Sequence, residues 1–291
     1  MSKLLRGDFI KLIKSKAFWI GNIFMFCFAA LAVYTKWSDT QLVPDYHNPP
    51  DGVFMAGAVY LPIVISIFIG LYVGADYSDG TVRNKSIMGH SRVNMYLSNL
   101  YICTFTCIVM HLVFQVVIIA RRVLGIIRKF DMSWGSVIAQ MLISSFSIRA
   151  VTAIILFICM IIPQRSTAVV RSFVAALILI LSASSIDNAL LEEEYYTGYS
   201  INVSEDGELV YTPQSSEKNP KYVTGTKRKV LETVNDILPV NQIFQLVEGR
   251  PGQPKGIENE SYTNFFPLYS LGIYCAVTAV GIYFFRKKDL K

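Results

Sequence analysis

Six apolar runs limit what this chain can fold into more than any other feature, because each is close to the ~20 residues that a helix rising 1.5 Å per residue needs to cross a bilayer. They lie at about 17–34, 54–74, 101–120, within 134–162, at 167–185 and at 265–285. Composition agrees: 53% of the 291 residues are hydrophobic and only 16% are charged. A water-soluble domain of this size seldom carries so much apolar surface. The expected fold is an all-α integral membrane protein with six transmembrane helices.

Charge then sets the expected orientation. The net charge is +6, and the basic residues flank apolar runs instead of forming an aromatic-interleaved patch. That pattern suits anionic membrane lipid and argues against nucleic acid as a partner. With the N-terminus inside, fourteen Lys and Arg fall in the short inner segments, against five outside: Lys36, Arg121, Arg122, Arg128 and Lys129. The positive-inside rule therefore places both termini in the cytoplasm, with the loop 121–132 as the one violation. An amphipathic 121–130 lying on anionic outer-leaflet lipid would account for it. No cleavable signal peptide is expected, since five basic residues precede the first apolar run and no small-residue cleavage site follows it. The five cysteines all sit inside apolar runs, as packed thiols.

Two further segments have structure of their own. In 3–16, Leu4, Leu5, Phe9, Leu12 and Ile13 share one helical side while Lys3, Arg6, Lys11 and Lys14 lie elsewhere. This is the pattern of an interfacial helix. The hydrophilic block 186–264 carries strand patterns at 199–204 and 208–212 around Asp206-Gly207, then helical patterns at 227–238 and 243–247. It predicts a small α+β outer domain, too short for a strong core, resting on the membrane or on a partner subunit. The chain divides accordingly into 1–185, 186–264 and 265–291.

The polar interval 75–100, between the second and third runs, is more ordered than a plain connector. Ser78 and Asp79 can start a helix, Asp76 and Asp79 put negative charge where the helix dipole favours it, and Gly89 offers a left-handed stop. A short helix over 79–88 is predicted, with Arg83 and Lys85 near its middle and Ser91 capping the next helix. Lying across the inner ends of the spans, it would be a handle for another protein; a merely basic, capped connector is the plainer reading.

The run Asp76-Tyr77-Ser78-Asp79-Gly80-Thr81-Val82-Arg83-Asn84-Lys85, then Gly89-His90-Ser91-Arg92 and Tyr96-Leu97-Ser98-Asn99, resembles the first cytoplasmic loop of permease subunits in the type-2 branch of the ATP-binding-cassette transporters. The resemblance implies that this loop holds a coupling helix seated in a cleft of a separate ATPase subunit, through Asp76, Ser78, Asp79, Gly80, Thr81, Arg83, Asn84, Lys85, Gly89, His90 and Arg92. It implies an elbow helix at the N-terminus, a second permease subunit, alike or a paralogue, and ATP with Mg on the partner ATPase, with no cofactor on this chain. It also implies a bacterial cytoplasmic membrane and export of a peptide, antibiotic or lipid. Residues 238–242, Leu-Pro-Val-Asn-Gln, are similar to a Leu-Pro-x-Gly-Gln element of the same permeases, with Asn241 in place of Gly; Asn is the next most tolerant of left-handed backbone.

Candidate chemistry inside the spans is sparse. Cys103, Cys107, His111 and Gln115 recur every four residues and form a polar stripe that should face other helices or a cavity. A zinc site is the sharper reading and packed thiols the plainer one. Arg149 in mid-span carries a penalty of roughly 2.5–3.5 kcal/mol and must be paired or wet. His111, Gln115 and Arg149 are the candidate conduit residues. Gly70 and Gly74, four apart, allow close helix approach, a pattern that also occurs at dimer contacts.

The chain lacks a phosphate-binding loop, a nucleophile elbow and a His-Glu-x-x-His motif, so it is not expected to be an enzyme. An intramembrane protease would need His111 to meet Ser144, Ser145 or Ser147, and nothing in the sequence places them together. Two other classes compete with a permease. One is a non-transporting sensor or assembly factor whose outer domain binds a ligand. The other is a secondary transporter, disfavoured by the lack of an inverted hydropathy repeat.

Overall fold

The structure is a computed structural model that describes residues 1–42, 51–124, 133–161, 165–196, 199–203, 209–213, 217–248 and 265–288. Within them α1 is Ser2–Lys14, α2 Lys16–Leu42, α3 Asp51–Ser78, α4 Thr81–Ile87, α5 Arg92–Val123, α6 Trp134–Ile161 and α7 Arg165–Leu191. Four short strands follow: β1 Tyr195–Tyr196, β2 Tyr199–Val203, β3 Leu209–Pro213 and β4 Glu217–Lys218. Then come α8 Gly225–Ile237, α9 Pro239–Glu248 and α10 Phe266–Lys287. Six of the helices, α2, α3, α5, α6, α7 and α10, are long and apolar enough to cross a membrane, matching the six runs. The protein is an all-α multi-pass membrane protein.

Contacts between helix ends show which ends share a side. Lys11 of α1 reaches Asp76 at the end of α3, and Tyr77 donates to the carbonyl of Met160 at the end of α6 (2.8 Å). Arg92 at the start of α5 donates to the carbonyl of Arg286 at the end of α10 (2.7 Å). One end of the bundle thus gathers α1, α4, the end of α6 and the end of α10, as alternating spans require. The strands and α8 lie toward the other end, following α7.

α3 is the central helix, packed on α2, α5, α6, α7 and α9. Leu61, Ile65 and Ile69 are buried along it. At Gly70 a Cβ would come within 2.6 Å of the Val169 Cα, so the α3 and α7 backbones touch there. Ser172 of α7 donates to the Ser66 carbonyl at 3.0 Å beside this contact. Gly70 therefore serves a contact within the chain, where the sequence also allowed one between chains. The lipid- or partner-facing surface is apolar, with Trp19, Ile20, Ile23 and Phe24 on α2 and Val170, Ile178 and Leu181 on α7 exposed.

The block after α7 keeps one expectation and changes others. The predicted hairpin is present, β2 pairing antiparallel with β3 from Tyr199↔Pro213 to Val203↔Leu209, while its Asp206-Gly207 turn lies outside the described residues. A second antiparallel pair, β1 with β4, was not foreseen. α9, read from the sequence as part of an outer domain, instead packs on α3, α6 and α7, with Val240, Asn241, Gln242, Ile243 and Gln245 all buried. Gln242 explains its seat: its Oε1 accepts from Ser147 of α6 (2.7 Å) and Ser270 of α10 (2.6 Å), and its Nε2 donates to the Asp236 carbonyl (2.9 Å). A polar side chain can enter a bundle when all its valences are met there. No described non-glycine residue has positive φ, so Asn241 is not in a left-handed turn. It donates to Asn235 Oδ1 (2.7 Å) and to the Ala183 carbonyl (3.3 Å), tying α9 to α8 and α7. Of the basic loop 121–132, α5 continues through Val123 with Arg121 exposed, and 125–132 lie outside the described residues.

Candidate functional site

The loop between the second and third spans builds a single short helix by a different start from the one predicted. α3 runs on through Ser78, whose hydroxyl is used locally, on the Ala75 carbonyl (3.1 Å) and the Asp79 carboxylate (3.2 Å). Ser78 and Asp79 therefore do not cap α4. Gly80 takes the cap position with φ +66°, a left-handed turn that redirects the chain between two helices without a side-chain cap. The other end follows the prediction. Gly89 has φ +81°, its N–H donates to the Ser86 carbonyl (3.0 Å), and the His90 N–H donates to the Lys85 carbonyl (3.1 Å). These two bonds form a Schellman closure. Ser91 then accepts from the Asn94 N–H (3.2 Å) and caps α5.

Once both ends are fixed, α4 has an inner and an outer side. Val82 and Lys85 are buried, while Arg83, Asn84, Ser86, Ile87 and Met88 are exposed. Ile87 and Met88 are 73% and 67% exposed, a large apolar tip on an otherwise polar loop. Asp79 is also exposed, and Thr81, His90 and Arg92 are half-buried.

The inner side is anchored by charge. Lys85 Nζ lies 2.7 Å from Asp8 Oδ1 of α1 and 3.3 Å from Asp76 Oδ2 of α3. Lys11 pairs with the other oxygen of Asp76 and also donates to the Tyr72 carbonyl (3.2 Å). Ser98 of α5 donates to Asp8 Oδ2 (2.6 Å), and the Tyr72 hydroxyl donates to the Asp8 carbonyl (2.8 Å). Two carboxylates and two ammonium groups thus cancel in charge while fastening α4 to α1, α3 and α5. Buried charges persist only when paired and hydrogen-bonded in this way. Asp76 and Lys85, grouped by the sequence with the partner-facing residues, are the anchor beneath that surface.

Asp8 escaped the sequence reading, as did the Ile87–Met88 tip and the bond that Ser98 makes to Asp8. Asp8 had a signal: with Leu4 and Leu12 it forms an i, i+4, i+8 row, all three buried. An acid in the middle of an apolar stripe asks for a buried base.

Behind the loop, Arg92 donates to the carbonyls of Arg286 and Lys288. Lys288 in turn donates to the Met160 carbonyl (2.8 Å) and stands 4.4 Å from the Tyr77 ring centre. Burial lowers its amine from 10.5 to about 8, with the neighbouring Cys159 opposing.

The candidate conduit residues do not come together. His111 and Gln115 are buried within the helix packing, His111 Nε2 meeting the Ser144 hydroxyl at 3.0 Å and Gln115 lying against the Met55 sulfur. The sequence had no means of joining His111 to a span-four serine, and the structure joins them; Ser144 also donates to the Met141 carbonyl (3.1 Å), and the pair is fully buried. Among the described residues no group of His, Cys, Asp and Glu is placed to hold a metal. Arg149 instead lines a cavity of about 310 Å³ between α5, α6 and α10, its guanidinium 5.0 Å from the Phe146 ring centre.

No curated protein matches the chain. A family model described as ABC-2 family transporter protein matches residues 4–184, from α1 through most of α7 and so across the whole of the loop and its anchor. With six spans and a match over well more than half its length, this chain belongs to the ABC-2 family of transporter proteins.

Proposed function

We propose that this chain is the permease subunit of a transporter driven by a separate ATP-binding-cassette ATPase, and that α4 is the helix the ATPase grips. The observation that carries this reading is the exposed apolar tip, Ile87 and Met88, on a seven-residue helix whose opposite side is locked into the bundle by Lys85. Exposed apolar groups beside charged ones are what a partner surface uses. Because Lys85 joins α1 to α3, and Asp8 accepts from Ser98 of α5, a push on α4 moves the ends of the second and third spans as one body. ATP and Mg sit on the ATPase, and this chain binds no cofactor. One chain supplies one α4, so a second permease subunit, identical or a paralogue, completes the conduit. α4 and both termini face the cytoplasm of a bacterium, as the basic end of the bundle supports. The cargo is a peptide, antibiotic or lipid, and its movement is export.

The test is purification of the tagged full chain from its native membrane in three forms: wild type, Met88→Asp, and a control changed on the exposed face of α7, Ile178→Ala. Wild type and control bring down an ATPase, and Met88→Asp does not, at unchanged thermal stability. Wild type recovered intact without an ATPase would favour the sensor or assembly role instead.

A further inference from the structure

We propose that the seam between α5, α6 and α10, at the end of the bundle that carries α4, binds one anionic glycerophospholipid. A cavity of about 270 Å³ opens there, lined by Tyr96, Phe157, Met160, Phe284, Lys287 and Lys288. Its polarity is graded with depth in the way an amphiphile is graded along its length.

At the mouth stand two lysines, the exposed Lys287 that ends α10 and the half-buried Lys288 that follows it. Among the described lining residues there is no Asp or Glu to neutralise them. Arg286 is exposed one residue earlier, and the guanidinium of Arg92 is engaged with backbone carbonyls, so the positive charge of this end stays open to an anion. A phosphodiester at the membrane surface supplies one.

Deeper by about 9 Å, at six residues of helix, lies Gly281. Tyr96 is fully buried against it: a Cβ on Gly281 would approach the Tyr96 hydroxyl to 2.1 Å. That hydroxyl has no hydrogen-bond partner among the described residues. Buried donors in folded proteins are nearly always satisfied; no described residue accepts here, and in the proposed site the lipid supplies the acceptor. An ester carbonyl of the lipid, below its phosphate, is an acceptor of this kind.

Further in, the wall is Phe157, Met160 and Phe284, and the cavity beside Arg149 continues the same three-helix seam. Phe284 is 51% exposed, so the site opens sideways to the bilayer, which is how an acyl chain would enter. A zwitterionic headgroup would place its own cation among the lysines, so charge selects the anionic lipid. This site does not depend on whether an ATPase binds α4.

The experiment takes the full chain, delipidated in detergent, and titrates it with phosphatidylglycerol or phosphatidylcholine. Bound lipid is counted by native mass spectrometry, and the melting temperature is followed in parallel. The expected result is one phosphatidylglycerol per chain, retained over phosphatidylcholine. Lys287→Gln lowers that retention about five-fold, the scale of one lysine at a membrane surface. Tyr96→Phe also lowers retention yet leaves the lipid-free melting temperature unchanged or higher, since its hydroxyl has no partner among the described residues. Arg121→Gln, at the far end of α5, changes neither. Equal retention of the two lipids, wild-type retention by Lys287→Gln and Tyr96→Phe, or an equal loss from Arg121→Gln would overturn the proposal.

Discussion

Lys85 of α4 donates to Asp8 of α1 across 2.7 Å, joining residues 77 positions apart and fixing the short helix to the N-terminal one. Both side chains are nearly inaccessible, at 10% and 5% exposure, so water cannot replace either partner. Lys85→Met leaves Asp8 buried without its base and is expected to cost about 3–5 kcal/mol. Asp8→Asn with Lys85→Met removes both charges and recovers part of that loss. Thermal unfolding of the four proteins of this cycle in detergent measures the coupling.

The turn after α4 depends on a left-handed residue. Gly89→Ala meets no neighbouring atom, yet at φ +81° it is expected to cost about 1–2 kcal/mol. Because the penalty falls on the Schellman closure, hydrogen exchange at the amide of His90 should accelerate about 5–30-fold while the spans keep their protection. Gly89→Asn should show a smaller rise.

Gln242 holds α9 inside the bundle through four hydrogen bonds. Gln242→Leu deprives the hydroxyls of Ser147 and Ser270 of an acceptor and the carbonyls of Asp236 and Ile237 of a donor. A loss of about 1–3 kcal/mol is expected. Ser147→Ala in the Gln242→Leu background should restore some of it by removing a hydroxyl left to donate only over the long bond to the Ile143 carbonyl (3.4 Å), a comparison that melting temperatures can make.

Lys288 predicts a pH dependence of definite sign. Its amine titrates near 8 in the fold, because of burial, and at its ordinary 10.5 when unfolded. Between these values the unfolded chain binds more protons, so this residue makes stability rise with pH from about 8 to about 10.5 and leaves it flat below 8. Comparing the melting temperature of wild type and Lys288→Met across that range isolates the effect; the slope should be shallower in the variant.

Much of the architecture was legible before any tertiary contact was known. The six spans, the amphipathic helix α1, the β2–β3 hairpin and the Gly89 stop are set by local hydropathy, length and turn chemistry. The start of α4 differs from the expectation because Ser78 fits equally well in the last turn of α3, and only the continuation of that helix decides between the two. α9 was misplaced for a related reason. Its Asn241, Gln242 and Gln245 look solvent-facing in isolation, and become core residues only when Asn235, Ser147 and Ser270 come to meet them.

What the sequence determined by itself is where the chain enters and leaves the membrane, since the bilayer sets one length and one polarity for every segment. What the tertiary structure alone decided is which polar groups become partners: Asp8 with Lys85, His111 with Ser144, and Arg149 kept apart from both. Crossing a bilayer is a property of some twenty consecutive residues. Pairing two side chains depends on the rotation and neighbours of helices far apart in the chain, which packing fixes only when all six spans are in place.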